Sequence, residues 1–159
     1  VLAFWAVVVA VLAFPRPATT RDGPEDPLAR RASVTLSVVS SLRFGTLVDN
    51  DGYVEIGSAD DLITDSNNLL VDTNYFSGVI EVLGDPGATV QISVSGGSAS
   101  GMTLSNFNTS LGDPPLSGIA LDGTGTLEFT LGGRVTIDRT LATPGTGLTV
   151  PYTITVQYE

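Results

Sequence analysis

The sequence predicts an all-β protein, specifically an antiparallel Ig-like β-sandwich, and three observations point to this fold class. From residue 32 to the C-terminus, short runs recur in which apolar and polar residues alternate, and only a strand has a two-residue side-chain period. Turn-forming residues separate these runs about every eight to twelve residues, as in sandwiches. No stretch keeps apolar residues at helical spacing for about three turns, so the crossover helices that a parallel sheet needs are not predicted.

The first 31 residues precede the predicted sandwich. Residues 1–14 are almost wholly apolar, and this run is shorter than the roughly 20 residues of a transmembrane helix. We therefore predict a signal peptide over residues 1–18, truncated at the front, with a membrane anchor or a buried strand as the alternatives. Residues 19–31, rich in proline and charge, are predicted to be a disordered linker, and residues 32–159 the sandwich domain. The mature form would then have no stable membrane span.

Five runs inside the domain alternate clearly enough to be predicted as strands. They cover residues 33–38, 80–82, 89–95, 126–131 and 134–138. The pair Gly132-Gly133 lies between the last two runs. Because two glycines between alternating segments suit a two-residue turn, we predict a tight hairpin there.

The most regular pattern lies in the C-terminal strand. Its apolar side chains fall on every second residue and share one face: Tyr152, Ile154, Val156 and Tyr158. Pro151 cannot donate a ladder hydrogen bond, so it marks the start of the strand or a bulge. Two interpretations remain open. The strand either closes the protein's own sandwich or offers an exposed edge to a chaperone strand and later to a neighbouring subunit.

The N-terminal end of the domain carries the matching candidate for a donated strand. Val34, Leu36 and Val38 alternate with polar residues behind the predicted linker. An intramolecular first strand has the same pattern, so that alternative stays open. These three residues, together with the four apolar residues of the C-terminal strand, are the predicted strand-pairing residues.

The composition excludes several kinds of chemistry. The chain has no Cys and no His, which excludes thiol nucleophiles, imidazole bases and the usual zinc sites. Its net charge of −10 argues against nucleic acid as a partner. We therefore predict a protein that is not an enzyme and has no catalytic residue, metal or cofactor. Acidic turns around residues 49–65 leave calcium binding as an alternative, although the EF-hand spacing is not met.

An ordered set of short motifs runs through the predicted domain. The motifs are Leu42–Leu47, Phe76–Gly78, Gly84–Ile92, Gly125–Phe129, Leu131–Gly133, Pro144-Gly145 and Tyr152–Tyr158. In this order they resemble the DUF4402 family of secreted bacterial β-domains, and the resemblance covers residues 32–159. The family is similar to fimbrial and spore-coat-U-type subunits, which implies an Ig-like sandwich exported to the bacterial cell surface. In this chain residues 147–151 replace the Gly-x-Tyr that usually precedes the family's last strand.

The resemblance and the strand pattern lead to one functional expectation. We expect an exported, non-enzymatic structural protein, a subunit of a surface filament or matrix that assembles by β-strand addition. Its partners would be further copies of itself or a fimbrial-type chaperone, and its location secreted, periplasmic or on the cell surface. The alternative is a single-domain adhesin or a calcium-binding module, for which surface loops would provide the site.

Overall fold

The computed structural model describes the backbone of residues 2–10 and the whole of residues 33–159. Within these two ranges the chain forms twelve strands and a short 3-10 helix, and no α-helix. The strands are β1 Leu2–Ala10, β2 Thr35–Ser40, β3 Gly45–Leu47, β4 Gly52–Ile56, β5 Leu62–Asp65, β6 Gly78–Leu83, β7 Thr89–Gly96, β8 Ser98–Ala99, β9 Met102–Thr109, β10 Leu116–Ala120, β11 Thr126–Ile137 and β12 Leu148–Tyr158, and the 3-10 helix is Ser66–Asn68. The predicted all-β class is confirmed.

The strands form two sheets. Sheet A has the order β10-β7-β12-β1-β3. Sheet B has the order β2-β6-β11-β4-β5, and β9 also pairs with β11 while β8 pairs with β9. The pairs are antiparallel except for β1 and β12, which run parallel. Parallel neighbours need a long connection, and here the whole domain lies between the two strands in the sequence.

The core lies between the sheets, where inward-facing residues of both pack together. Burial alternates along β12 and along the first half of β7, as the two-residue period predicts. Sheet A contributes Leu47, Val90, Ile92, Val150, Tyr152, Ile154 and Val156; sheet B contributes Val54, Ile56, Ile80, Val82, Met102, Leu104, Phe129, Leu131, Val135 and Ile137. Each fully buried Val, Leu or Ile stabilises the fold by roughly 1.5–3 kcal/mol relative to an exposed one.

The predicted hairpin at Gly132-Gly133 is wrong, because β11 continues through both glycines. Residues 126–131 pair with β6, and residues 133–137 pair with β4. A β-carbon at Gly132 would collide with the carbonyl oxygen of Ile56, so a close backbone approach requires glycine there. The pairing of β11 with β9 also shifts register between Gly132 and Arg134, which is a β-bulge. The two alternating runs are therefore halves of one strand.

The N-terminal apolar segment lies in sheet A. Leu2–Ala10 forms β1, in line with the strand alternative that the sequence left open. Removal of residues 1–18 during export stays a prediction, and the predicted linker over residues 19–31 lies outside the described residues. In the part of the chain that the structure describes, no helix combines the length and apolarity needed to cross a membrane.

Candidate strand-pairing site

The candidate site is the position in sheet A between β12 and β3, which we call the strand slot. One edge of β12 pairs with β7, from Tyr152 to Tyr158. Its other edge, from Leu148 to Ile154, pairs with β1. The far edge of β1 pairs antiparallel with all three residues of β3. A single strand from the opposite end of the sequence thus occupies the slot and joins β12 to β3.

Successive residues of β12 direct their backbone N–H and C=O groups alternately to its two edges. The N–H of Gly97 donates to the carbonyl of Pro151, and the N–H of Glu159 donates to the carbonyl of Thr89 on β7. Because the N–H and C=O of one strand residue point to the same side, the odd-numbered residues face β7 and the even-numbered residues face the slot. Pro151 therefore lacks its donor on the β7 side, so its ring removes no hydrogen bond from the slot.

The even-numbered residues of β12 also form its buried face. Val150, Tyr152 and Ile154 are at most 1% exposed. Since paired residues share a face of the sheet, the positions of an occupant strand opposite these three belong to the inner face. In β1 those register positions are held by Ala6, Val8 and Ala10. The slot therefore combines a row of backbone groups with an apolar wall.

Tyr152 is the largest fully buried side chain of the domain. Its ring centroid lies 5.8 Å from that of Phe107, with the planes tilted by 38°. Burial raises the pKa of Tyr152 to about 12, although the nearby Leu42 backbone acts weakly in the opposite direction. The hydroxyl is buried and makes no hydrogen bond of regular geometry with any described residue. Tyr152 therefore stays neutral over the physiological pH range and serves packing.

Tyr158 fixes the end of β12 that lies beyond β1. Its hydroxyl oxygen accepts a hydrogen bond from the N–H of Asp85 at 2.7 Å. Asp85 belongs to the turn that connects β6 of sheet B to β7 of sheet A, so this bond ties that turn to the end of β12. A β-carbon at Gly84 would crowd the same hydroxyl, so a larger residue there would require the Tyr158 side chain to shift. The aromatic residue near the C-terminus thus has a structural contact within the domain.

The predicted donor residues lie in the other sheet. Val34 is buried just before β2, while Leu36 and Val38 pair with Val82 and Ile80 of β6. The structure does not bring these three residues to β12, and their location follows the intramolecular alternative. Donation of β2 to another molecule would require it to leave β6 and expose two residues that are 0% exposed.

Three of the acidic residues considered for calcium are engaged by groups of the domain itself. Asp65 accepts from the N–H groups of Leu69 and Leu70 at 2.6 and 3.1 Å. Asp60 accepts from the N–H and the hydroxyl of Ser77 at 2.6 and 2.7 Å. The carboxylate of Glu55 pairs with an arginine of β11. Nowhere in residues 33–159 do three acidic side chains come together as a metal site would need.

Sequence reasoning did not identify β3 as a strand and did not place β1 in the slot. β3 has only three residues, too few to show a two-residue period. β1 is a continuous apolar run, and such a run does not distinguish a strand from a signal peptide core. The signal that was available is the run Val7-Val8-Val9, because β-branched residues favour strands.

Comparison with known proteins places the domain in a family. No curated protein matches the chain. The family model described as "Domain of unknown function (DUF4402)" matches residues 34–158. This range holds every described strand except β1, so the occupant of the slot lies outside the matched domain. The match covers most of the sequence, and the chain therefore belongs to the DUF4402 family.

Proposed function

We propose that this protein is an exported, non-enzymatic structural domain, a subunit of a surface filament or matrix that assembles by β-strand addition. One observation carries the proposal. The family domain, residues 34–158, contains β12 and β3 but not the strand that joins them. Without β1, residues 148–154 of β12 would present unpaired backbone groups beside an apolar wall. Such an edge is a template for pairing with a strand from another molecule.

The export expectation and the slot concern the same residues. Residues 1–18 are predicted to be removed as a signal peptide, and Leu2–Ala10 fills the slot. Export with cleavage would therefore open the slot as the protein leaves the cytoplasm. A fimbrial-type chaperone or a neighbouring subunit would then supply the missing strand in the periplasm or at the cell surface.

The composition supports a structural rather than a catalytic role. The chain has neither His nor Cys, and its carboxylates at Asp60 and Asp65 are engaged with N–H groups of the domain. A catalytic carboxylate pair would need two acids facing a cleft. The proposal therefore rests on backbone pairing and apolar burial alone.

The test compares the open slot with a closed one. The protein is exported in a bacterial host, and its N-terminus is determined by mass spectrometry. We expect the form without residues 1–18 to be recovered as oligomers, or bound to a strand donor, by light scattering and electron microscopy. The matched control carries Val9→Cys and Thr153→Cys, a register pair in a chain that has no other cysteine; it is made without export, so that residues 1–18 stay in place, and is oxidised after folding. Its disulfide would hold β1 in place and keep the protein monomeric.

Two results would refute the proposal. One is a monodisperse monomer of the cleaved form without any bound partner. The other is equal assembly of the cleaved form and the disulfide-locked control, because then the slot has no part in association.

A surface cavity favours the adhesin alternative as a second candidate function. It has a volume of about 490 Å³, and its lining includes Arg43, Asp60, Phe76 and Ser77. Phe76 is 49% exposed there, and an exposed aromatic ring beside polar groups suits a sugar ligand. A glycan panel followed by calorimetry tests this function, with Phe76→Ala as the variant expected to lose binding. The absence of any glycan-dependent signal would reject it.

A further inference from the structure

The strand slot fixes the direction of the segment that occupies it. β1 runs parallel to β12 and antiparallel to β3. The even-numbered residues of β12 direct both their N–H and C=O groups into the slot. Parallel and antiparallel partners meet these groups in different hydrogen-bond patterns. A reversed strand would pair differently with both walls at once, so polarity is a property of the site.

The slot also fixes the length of its occupant. The register joins seven residues, Phe4 to Ala10, to residues 148–154, and three residues of β1 to β3. β3 borders the first three residues of β1, and β12 borders the last seven, so the two strands flank the same residue at Phe4. The two registers together define an extended occupant of about nine residues.

The third constraint is the side-chain pattern. Positions opposite Val150, Tyr152 and Ile154 lie on the inner face of sheet A, against residues that are at most 1% exposed. A charged residue at any of them would be placed beside the core, where an unpaired charge is costly. The intervening positions, such as that of Val9 opposite the half-buried Thr153, belong to the other face.

We infer that the strand slot is a binding site for one extended segment of a separate protein molecule, which runs parallel to β12 and carries small or apolar residues at every second position. Leu2–Ala10 is the intramolecular occupant of this site, and its removal makes the site available. The inference rests on the proposed function and adds the direction, length and side-chain pattern of the partner strand. In the sequence, residues 11–34 separate β1 from β2.

The experiment uses the full chain with a recognition site for a sequence-specific protease inserted between Thr19 and Thr20. The protein is purified intact and cut after folding. Trp5 is the single tryptophan of the chain, so its emission reports on the β1 segment alone. A labelled peptide with the sequence of residues 1–12 and a charged, soluble tail is then added in excess. We expect it to replace the cut fragment at one peptide per domain.

Three further peptides test direction and register. The reversed sequence has the same composition, and we expect its binding to be weaker by about tenfold or more, since it cannot reproduce the parallel ladder. A peptide with Val8→Asp, at the position opposite Tyr152, should also bind about tenfold more weakly or worse. The matched control, Val9→Asp at the position opposite Thr153, should stay within about threefold of the parent.

Every result of these experiments either supports or overturns the inference. Equal binding of the forward and reversed peptides, or of the two aspartate peptides, would overturn it. If cutting causes aggregation, the forward peptide present during the cut must keep the domain soluble, and failure to do so would also overturn it. Directional binding without any assembly of the exported protein would keep the inference and reject the filament role. Assembly without a preferred direction would reject the inference and keep strand addition.

Discussion

Tyr152 allows a quantitative test of the packing behind β12. The perturbation is alkaline pH, combined with the substitution Tyr152→Phe. Burial raises the pKa of this phenol from 10.0 to about 12 in the folded protein, so the unfolded chain ionises first. The contribution of the neutral phenol to stability is fully present below pH 10, the unfolded value, and is lost as the pH rises towards 12.

The size of the effect follows from the shift. One pKa unit corresponds to about 1.4 kcal/mol, so the full loss above pH 12 is on the order of 3 kcal/mol. At pH 11 the unfolded state is mostly ionised and the folded state mostly neutral, which leaves a loss of about 1.4 kcal/mol. In Tyr152→Phe this titration is absent, while the other three tyrosines remain and cancel in the comparison.

The assay is urea unfolding of both proteins at pH 8 and pH 11. At pH 8 we expect Tyr152→Phe to be as stable as the parent or more stable, because the buried hydroxyl makes no hydrogen bond of regular geometry that phenylalanine would lose. At pH 11 the free energy of unfolding of Tyr152→Phe, relative to that of the parent, should rise by about a further 1.4 kcal/mol. A pH-independent difference would refute the burial argument, as would a loss of more than about 1.5 kcal/mol at pH 8.

Three further substitutions test the fold by the same urea assay. Ile154→Ala should cost about 2–5 kcal/mol because its side chain is 0% exposed, whereas the neighbouring Thr153→Ala should cost less than about 1 kcal/mol; similar values would contradict the assigned inner face. Gly96→Ala should prevent folding or destabilise strongly, because a β-carbon there would collide with a carbonyl oxygen of β9, while the exposed Gly123→Ala meets nothing within 4 Å and should be tolerated. Arg134→Lys should cost about 1 kcal/mol, since the arginine reaches a carboxylate of β4 at 2.6 Å and stacks 4.2 Å from a tyrosine ring; an unchanged midpoint would show that neither contact stabilises the fold.

The sequence predicted strands well where the two-residue period extended over five or more residues. β7 and β12 lie where alternation placed them, and the buried faces of both follow the pattern. The strands β3, β4, β5, β8, β9 and β10 were missed. β3, β5 and β8 have two to four residues, too few for a period to show, and in β9 the alternation of buried residues stops after Leu104. Gly132-Gly133 was misread because glycine favours turns and equally permits close backbone approach.

The candidate site was predicted only in part. Alternation identified β12 and its inner face, because a strand with one buried face carries apolar residues at every second position. It did not identify which segment pairs with the edge of β12 that faces the slot. The pattern of residues 34–38 is the same for a strand retained by β6 and for a strand given to another molecule. The tertiary structure placed those residues in sheet B and Leu2–Ala10 beside β12.

The sequence by itself determined the all-β class, the inner face of β12 and membership of the DUF4402 family, because all three depend on the order and spacing of side chains along the chain. Only the tertiary structure decided that β11 is continuous and that β12 and β3 are separated by one strand. The reason is that strand pairing uses backbone N–H and C=O groups, which are alike in every residue except proline. The local sequence therefore predicts that a segment is a strand, whereas the tertiary structure determines which strand pairs with each of its edges.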